Sequence, residues 1–117
     1  MALRVGMVTT DCADPQALAA FWGAALGTSV ALDVGWFVML APPEGGGPPL
    51  GFQRVPEPRA GKNRLHLDVG AAPGERDAEV ARLVALGATV LGERTGDSPG
   101  GRWITLTDPE GNEFCVA

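Results

Sequence analysis

The sequence predicts an α+β domain of two tandem βαβββ modules, whose mixed sheet curves into a cup with the helices on its outer face. Three observations lead there. Ala25-Leu-Gly-Thr-Ser-Val30 recurs half a chain later as Ala85-Leu-Gly-Ala-Thr-Val90, so one supersecondary unit is written twice. In each copy an apolar stripe at helical spacing precedes this motif and short strand-like segments follow it. The strands of the second copy also divide cleanly into an apolar and a polar face.

The first helix opens at Asp14, a good N-cap residue, with Pro15 at the first helical position. Leu18, Phe21, Trp22 and Ala25 follow on one stripe, and Gly27 stops the helix. In the second helix Glu75, Asp77 and Glu79 favour the positive end of the dipole, Val80, Leu83 and Val84 form the expected buried stripe, and Gly87 closes it. Strands are expected near Ser29–Asp33, Trp36–Leu40 and Leu50–Val55, broken by Gly35 and the Pro/Gly-rich loop Pro42–Pro49. Pro56–Gly61 reads as a connector, because its two prolines cannot serve a central strand. Module one therefore covers about residues 1–56, the connector about 56–62 and module two about 63–117. Module two gives strands near Asn63–Val69, Thr89–Glu93, Trp103–Thr107 and Glu113–Val116. Asp108-Pro-Glu-Gly111 sets Asp, Pro and Gly where a type I turn wants them, predicting a hairpin.

Length and composition narrow the function classes. A chain of 117 residues fits one domain. No stretch approaches the roughly 18 to 20 apolar residues of a membrane helix, and Met1–Thr10 lacks a secretory cleavage pattern, so a soluble cytoplasmic protein with no membrane partner is expected. Cys12 and Cys115 are far apart, without zinc-knuckle spacing, and read as reduced thiols. A net charge of −5 with scattered Lys and Arg argues against nucleic acid and fits cationic or neutral small molecules.

The faces locate the candidate chemistry. Leu65, Leu67 and Val69 oppose Arg64, His66 and Asp68; Ile104 and Leu106 oppose Trp103, Thr105 and Thr107; Phe114 and Val116 oppose Glu113 and Cys115. The polar, Trp-bearing face reads either as a ligand surface or as a merely solvated one with a cross-strand charge network. His66 is the sole histidine, so any imidazole acid–base chemistry must use it; beside Asp68 it can be an oriented base or a structural hydrogen-bonded group. Cys115 can act as a nucleophile only with a base, and otherwise is a small packing residue. Trp36 and Trp103 can stack on a planar or cationic ligand, whereas Trp22 belongs to the helix stripe.

The segment Thr10–Gly27 resembles the opening of glyoxalase-like domains, and Asp108–Val116 resembles their closing hairpin, with Gly51–Pro58 and Lys62–Asp68 in order between them. The resemblance, to the glyoxalase, bleomycin resistance and ring-cleaving dioxygenase superfamily, covers essentially the whole chain. It implies two modules lining a U-shaped cup and, in metal-using members, one His or carboxylate-type ligand on each of four strands. Carried over, those positions are Met7, Gln53, Arg64 (His66 if the register shifts) and Cys115, with Glu113 on the same face. A thioether, a neutral amide and a guanidinium do not make a hard-cation site, so no metal or other cofactor of the usual kind is expected. What the resemblance then implies is a metal-free protein of the drug-sequestering kind. It would be a homodimer holding a small aromatic or cationic molecule through Met7, Trp36, Gln53, Arg64, His66, Asp68, Trp103, Glu113 and Cys115. The alternative is a lyase or isomerase of the glyoxalase type, acting on a small oxygenated substrate with His66 as base or atypical metal ligand.

Overall fold

In the computed structural model, which describes residues 1–95 and 101–117, the chain divides into two units, Met1–Ala60 and Gly61–Ala117. The first contains β1 (Val8–Cys12), α1 (Pro15–Leu26), β2 (Val30–Asp33), β3 (Phe37–Leu40) and β4 (Leu50–Arg54). The second contains β5 (Leu67–Val69), α2 (Arg76–Leu86), β6 (Thr89–Thr95), β7 (Arg102–Thr107) and β8 (Glu113–Val116). The α+β class and the doubled βαβββ order are therefore as the sequence predicts. Neither helix is long and apolar enough to cross a membrane.

The repeat is structural down to its irregularities. The strand orders are β1-β4-β3-β2 and β5-β8-β7-β6, with β1 parallel to β4 and β5 parallel to β8, and every other pairing is antiparallel. Gly27 (φ 67°) and Gly87 (φ 123°) sit at the two helix C-termini in backbone regions that L side chains avoid. After each glycine the next amide reaches back to the same carbonyl of the last turn: Thr28 N–H to Gly23 at 2.9 Å, Ala88 N–H to Leu83 at 3.0 Å. Each following hairpin shifts register at the matching place, between Val30 and Leu32 and between Val90 and Gly92.

The two helices differ in how much they bury. Asp14 accepts the Ala17 N–H at 3.0 Å and so caps α1, whose Leu18, Ala19, Phe21 and Trp22 pack over β3 and β4. Phe21 and Trp22 meet edge to face at 5.3 Å. With Cys12, Val38, Leu40, Leu50 and Phe52 they form the core of this unit. On α2 only Val80 and Leu83 are buried, and Glu75 makes no side-chain cap. Val84, expected on that stripe, is 45% exposed. The buried line of α2 runs through Val80 and Leu83, and at 100° per residue Val84 falls at its margin.

The closing hairpin matches its turn prediction. Gly111 N–H bonds to the Asp108 carbonyl at 2.9 Å, and Asp108, 3% exposed, spends its carboxylate on the turn. Its Oδ1 accepts from the amides of Glu110 (2.9 Å) and Asn112 (3.0 Å), while the Asn112 side-chain amide reaches both carboxylate oxygens.

Two other expectations need correction. The strand expected from Asn63 begins only at Leu67, and Leu65 is 87% exposed instead of packed. The reason is local: Asn63 Oδ1 accepts the Glu113 N–H at 3.1 Å, and its Nδ2 donates to Asn112 Oδ1, so a side chain supplies what a longer strand would. Trp36 likewise lies in the bend before β3, exposed to solvent, and not on the strand itself.

Candidate functional site

In the first unit, alternation and register place Thr9, Asp11, Phe37, Met39, Gly51 and Gln53 on the sheet face turned away from α1. Gln53 pairs with Asp11 on one side and Phe37 on the other. Met7 stands just before β1 and reaches over Gly51: a Cβ built there would meet Met7 Sδ at 2.9 Å and the Phe37 ring at 2.9 Å. Of the residues expected in this unit, Met7 and Gln53 thus share one face. Phe37 joins them there, a residue that sequence reasoning missed because it put the ligand-stacking role on its neighbour Trp36. Trp36 contacts the Phe37 ring at 5.8 Å, but from the bend.

The second unit brings more of the expected residues together. In register, Asp68 lies beside Cys115 and Cys115 beside Thr105, so one polar row crosses β5, β8 and β7. The next row pairs Glu113 with Thr107. Trp103, half-buried, shares this face by alternation along β7. The opposite face carries Leu67, Val69, Ile104, Leu106, Phe114 and Val116, and its β8 side chains are buried. The division into one hydrocarbon and one polar face read from the sequence holds for Leu67–Val69, Trp103–Thr107 and Glu113–Val116, while Glu93 on β6 and Arg102 at the start of β7 pair with each other on the apolar side.

His66 stands just ahead of β5, with its Nε2 3.2 Å from Asp68 Oδ1. The side chains are 53% and 75% exposed, so this pair orients the ring more than it stabilises the fold. Cys115 Sγ lies 3.5 Å from Thr105 Oγ1. One ligand atom from each of His66, Asp68 and Cys115 falls within 4.8 Å of the others. Arg64 is exposed beyond the strand end, and Glu113, though on the same face, is not part of that group. Asp68 was legible as a face neighbour of His66. Cys115 was legible as the carried-over position on the last strand; that it meets both His66 and Asp68 depends on the parallel pairing of β5 with β8.

The family model for the glyoxalase-like domain matches residues 7–117. The chain belongs to that family. Among solved structures this glyoxalase-like domain is similar to a glyoxalase/bleomycin resistance protein/dioxygenase family enzyme from Burkholderia phytofirmans, at 21% identity over 95% of this chain and 94% of that one, with a TM-score of 0.77. It is also similar to a glyoxalase-related enzyme from Fulvimarina pelagi, at 22% identity over 99% and 88%, TM-score 0.75. A third is the genomically encoded fosfomycin resistance protein of Listeria monocytogenes, solved with Mn(II) and a dihydroxypropylphosphonic acid, at 19% identity over 99% and 90%, TM-score 0.80. At these identities the likeness is one of fold. No curated protein matches the chain.

The manganese in that relative makes the donor chemistry of this glyoxalase-like domain worth testing. At the positions carried over from metal-using members stand a thioether (Met7), a neutral amide (Gln53), an exposed guanidinium (Arg64, or the His66 imidazole if the register shifts) and a thiol (Cys115), a set that does not fit a hard, oxygen-seeking cation. The residues that do converge are Cys115, His66 and Asp68, a softer set in which Asp68 is the addition.

Proposed function

We propose that this glyoxalase-like domain binds a small aromatic or cationic molecule on the polar face of its second sheet, in the manner of a drug-sequestering protein. The observation that carries this reading is the row of Asp68, Cys115 and Thr105 with Trp103 on the same face, set against an opposite side where Leu67, Leu106, Phe114 and Val116 lie. A half-buried indole offers a π-face, and Asp68 and Glu113 put negative charge on the same face of the sheet, the combination that recognises a planar cation. The net charge of −5 favours the same ligands.

The test is a titration of intrinsic tryptophan fluorescence with bleomycin-type and simpler cationic aromatic compounds, on parent and Trp103→Leu proteins. Saturable quenching at micromolar ligand, lost in Trp103→Leu, is expected. No shift with any compound, or quenching that survives the substitution, would sink the reading for this face.

The His66–Asp68 pair favours a second reading, in which the domain is a lyase or isomerase. A carboxylate holding one imidazole nitrogen leaves the other free to take a proton from a small oxygenated substrate, the arrangement of an oriented general base.

We also infer that the domain is a homodimer. Strand β2, last in the order of its sheet, and the bend after it expose Val30, Leu32, Val34 and Trp36, an apolar run that a second copy would cover. Light scattering at micromolar protein should give twice the monomer mass, with Leu32→Lys shifting the population to monomer; a monomer throughout would overturn it.

A further inference from the structure

We infer that His66, Asp68 and Cys115 form a binding site for a borderline divalent cation of the zinc kind, one that keeps the last-strand position at Cys115, takes His66 in place of Arg64 and adds Asp68, and so differs in donor chemistry from the site the family resemblance implies. The inference rests on reading the polar face of the second sheet as the functional one, and it gives that face a cofactor. Three donor types converge, an imidazole nitrogen, a carboxylate oxygen and a thiol sulfur, and each is a ligand that Zn(II) accepts.

The geometry is close to what the ion needs. Tetrahedral bonds of about 2.0 to 2.3 Å put neighbouring ligand atoms roughly 3.3 to 3.7 Å apart. His66 Nε2 and Asp68 Oδ1 are already at 3.2 Å, and all three donors lie within 4.8 Å of each other. The sulfur must therefore close by about one ångström, within the reach of rotamer changes in the exposed His66 and Asp68 side chains.

The strands explain why the set forms. Cys115 is fixed by pairing on both sides, to Asp68 and to Thr105. Thr105 Oγ1, 3.5 Å from the sulfur, can donate to the thiolate that metal binding creates by displacing the thiol proton. With three protein ligands and solvent on the exposed side, the fourth position is open, the pattern of a metal that meets a second ligand and not of a purely structural one. A thiolate in the set favours Zn(II) or Co(II) over Mg(II) or Mn(II).

Cobalt(II) is the probe, added to full-length reduced protein without any organic ligand. A sulfur-to-cobalt charge-transfer band in the near ultraviolet is expected for parent protein and for Cys12→Ser, since Cys12 is buried and bonded to the Gln53 carbonyl. The band should vanish in Cys115→Ser. Asp68→Asn and His66→Ala should weaken Co(II) binding by at least about tenfold, because removing a direct ligand costs no less than removing its outer partner. Excess Zn(II) should bleach the band, and Mg(II) or Mn(II) should leave it. No band, a band that persists without Cys115, unchanged affinity in the exposed-site variant Asp68→Asn, or displacement by Mg(II) would each overturn the proposal. Because the readout is cobalt absorption in ligand-free protein, it fails or succeeds independently of the tryptophan titration.

Discussion

Asp108→Ala is expected to lower stability by about 3 kcal/mol, moving the thermal midpoint down by roughly 10 °C. The carboxylate accepts from two backbone amides and from the Asn112 side chain, and the residue is almost fully buried. Alanine leaves the Glu110 and Asn112 N–H groups without that acceptor in a turn that admits little water, at about 1 to 3 kcal/mol for each unmet group. Asp108→Asn keeps an oxygen for both amides and should cost about 1 kcal/mol, chiefly through the changed contact with the Asn112 amide. Calorimetric scans of the three proteins check this. An alanine variant that melts with the parent would mean that the turn is held by Pro109 and Gly111 alone. The prediction bears on function too, because this turn sets the register that puts Thr105 opposite Cys115.

The second large effect is expected one residue before the candidate site. Phe114 is flanked by Leu67 and Leu106 across the sheet and is fully buried, so Phe114→Ala should cost about 3 to 5 kcal/mol by lost burial and the cavity left behind. That is a large share of the roughly 5 to 15 kcal/mol that holds a domain of this size folded. Cys115→Ser, its immediate neighbour on the opposite face, should stay within about 1 kcal/mol of the parent. Urea unfolding of both variants provides the comparison. Equal losses at the two positions would contradict the separation of the sheet into a supporting face and a working one.

That separation was readable before any coordinates, because side chains on a strand must alternate. So were α1, from Asp14 and Pro15 to Gly27, and the turn at Asp108, since capping and turn geometry are local and each demands particular residue types. The doubling of the fold followed from a repeated helix end, and the structure carries it further, to matching bulges in both hairpins. Where the reading failed, a distant partner had intervened. Asn63 and Leu65 alternate correctly for a strand, yet Asn63 bonds to the amide of Glu113, fifty positions away in the chain, and the strand starts late. Val84 fits a helical stripe, but how wide a stripe is buried depends on what the helix meets.

The sequence by itself determined the two modules, their helices and turns, and which side chains of each strand share a face, because these follow from the period of the backbone and the chemistry of caps. Only the tertiary structure decided which of those side chains meet. His66 and Asp68 are neighbours in the chain, but Cys115 reaches them through the parallel pairing of β5 with β8, and no local periodicity carries the register of two strands so far apart. The donor set at the positions carried over from metal-using members argued against a metal; the set that pairing assembles has the chemistry of a softer one.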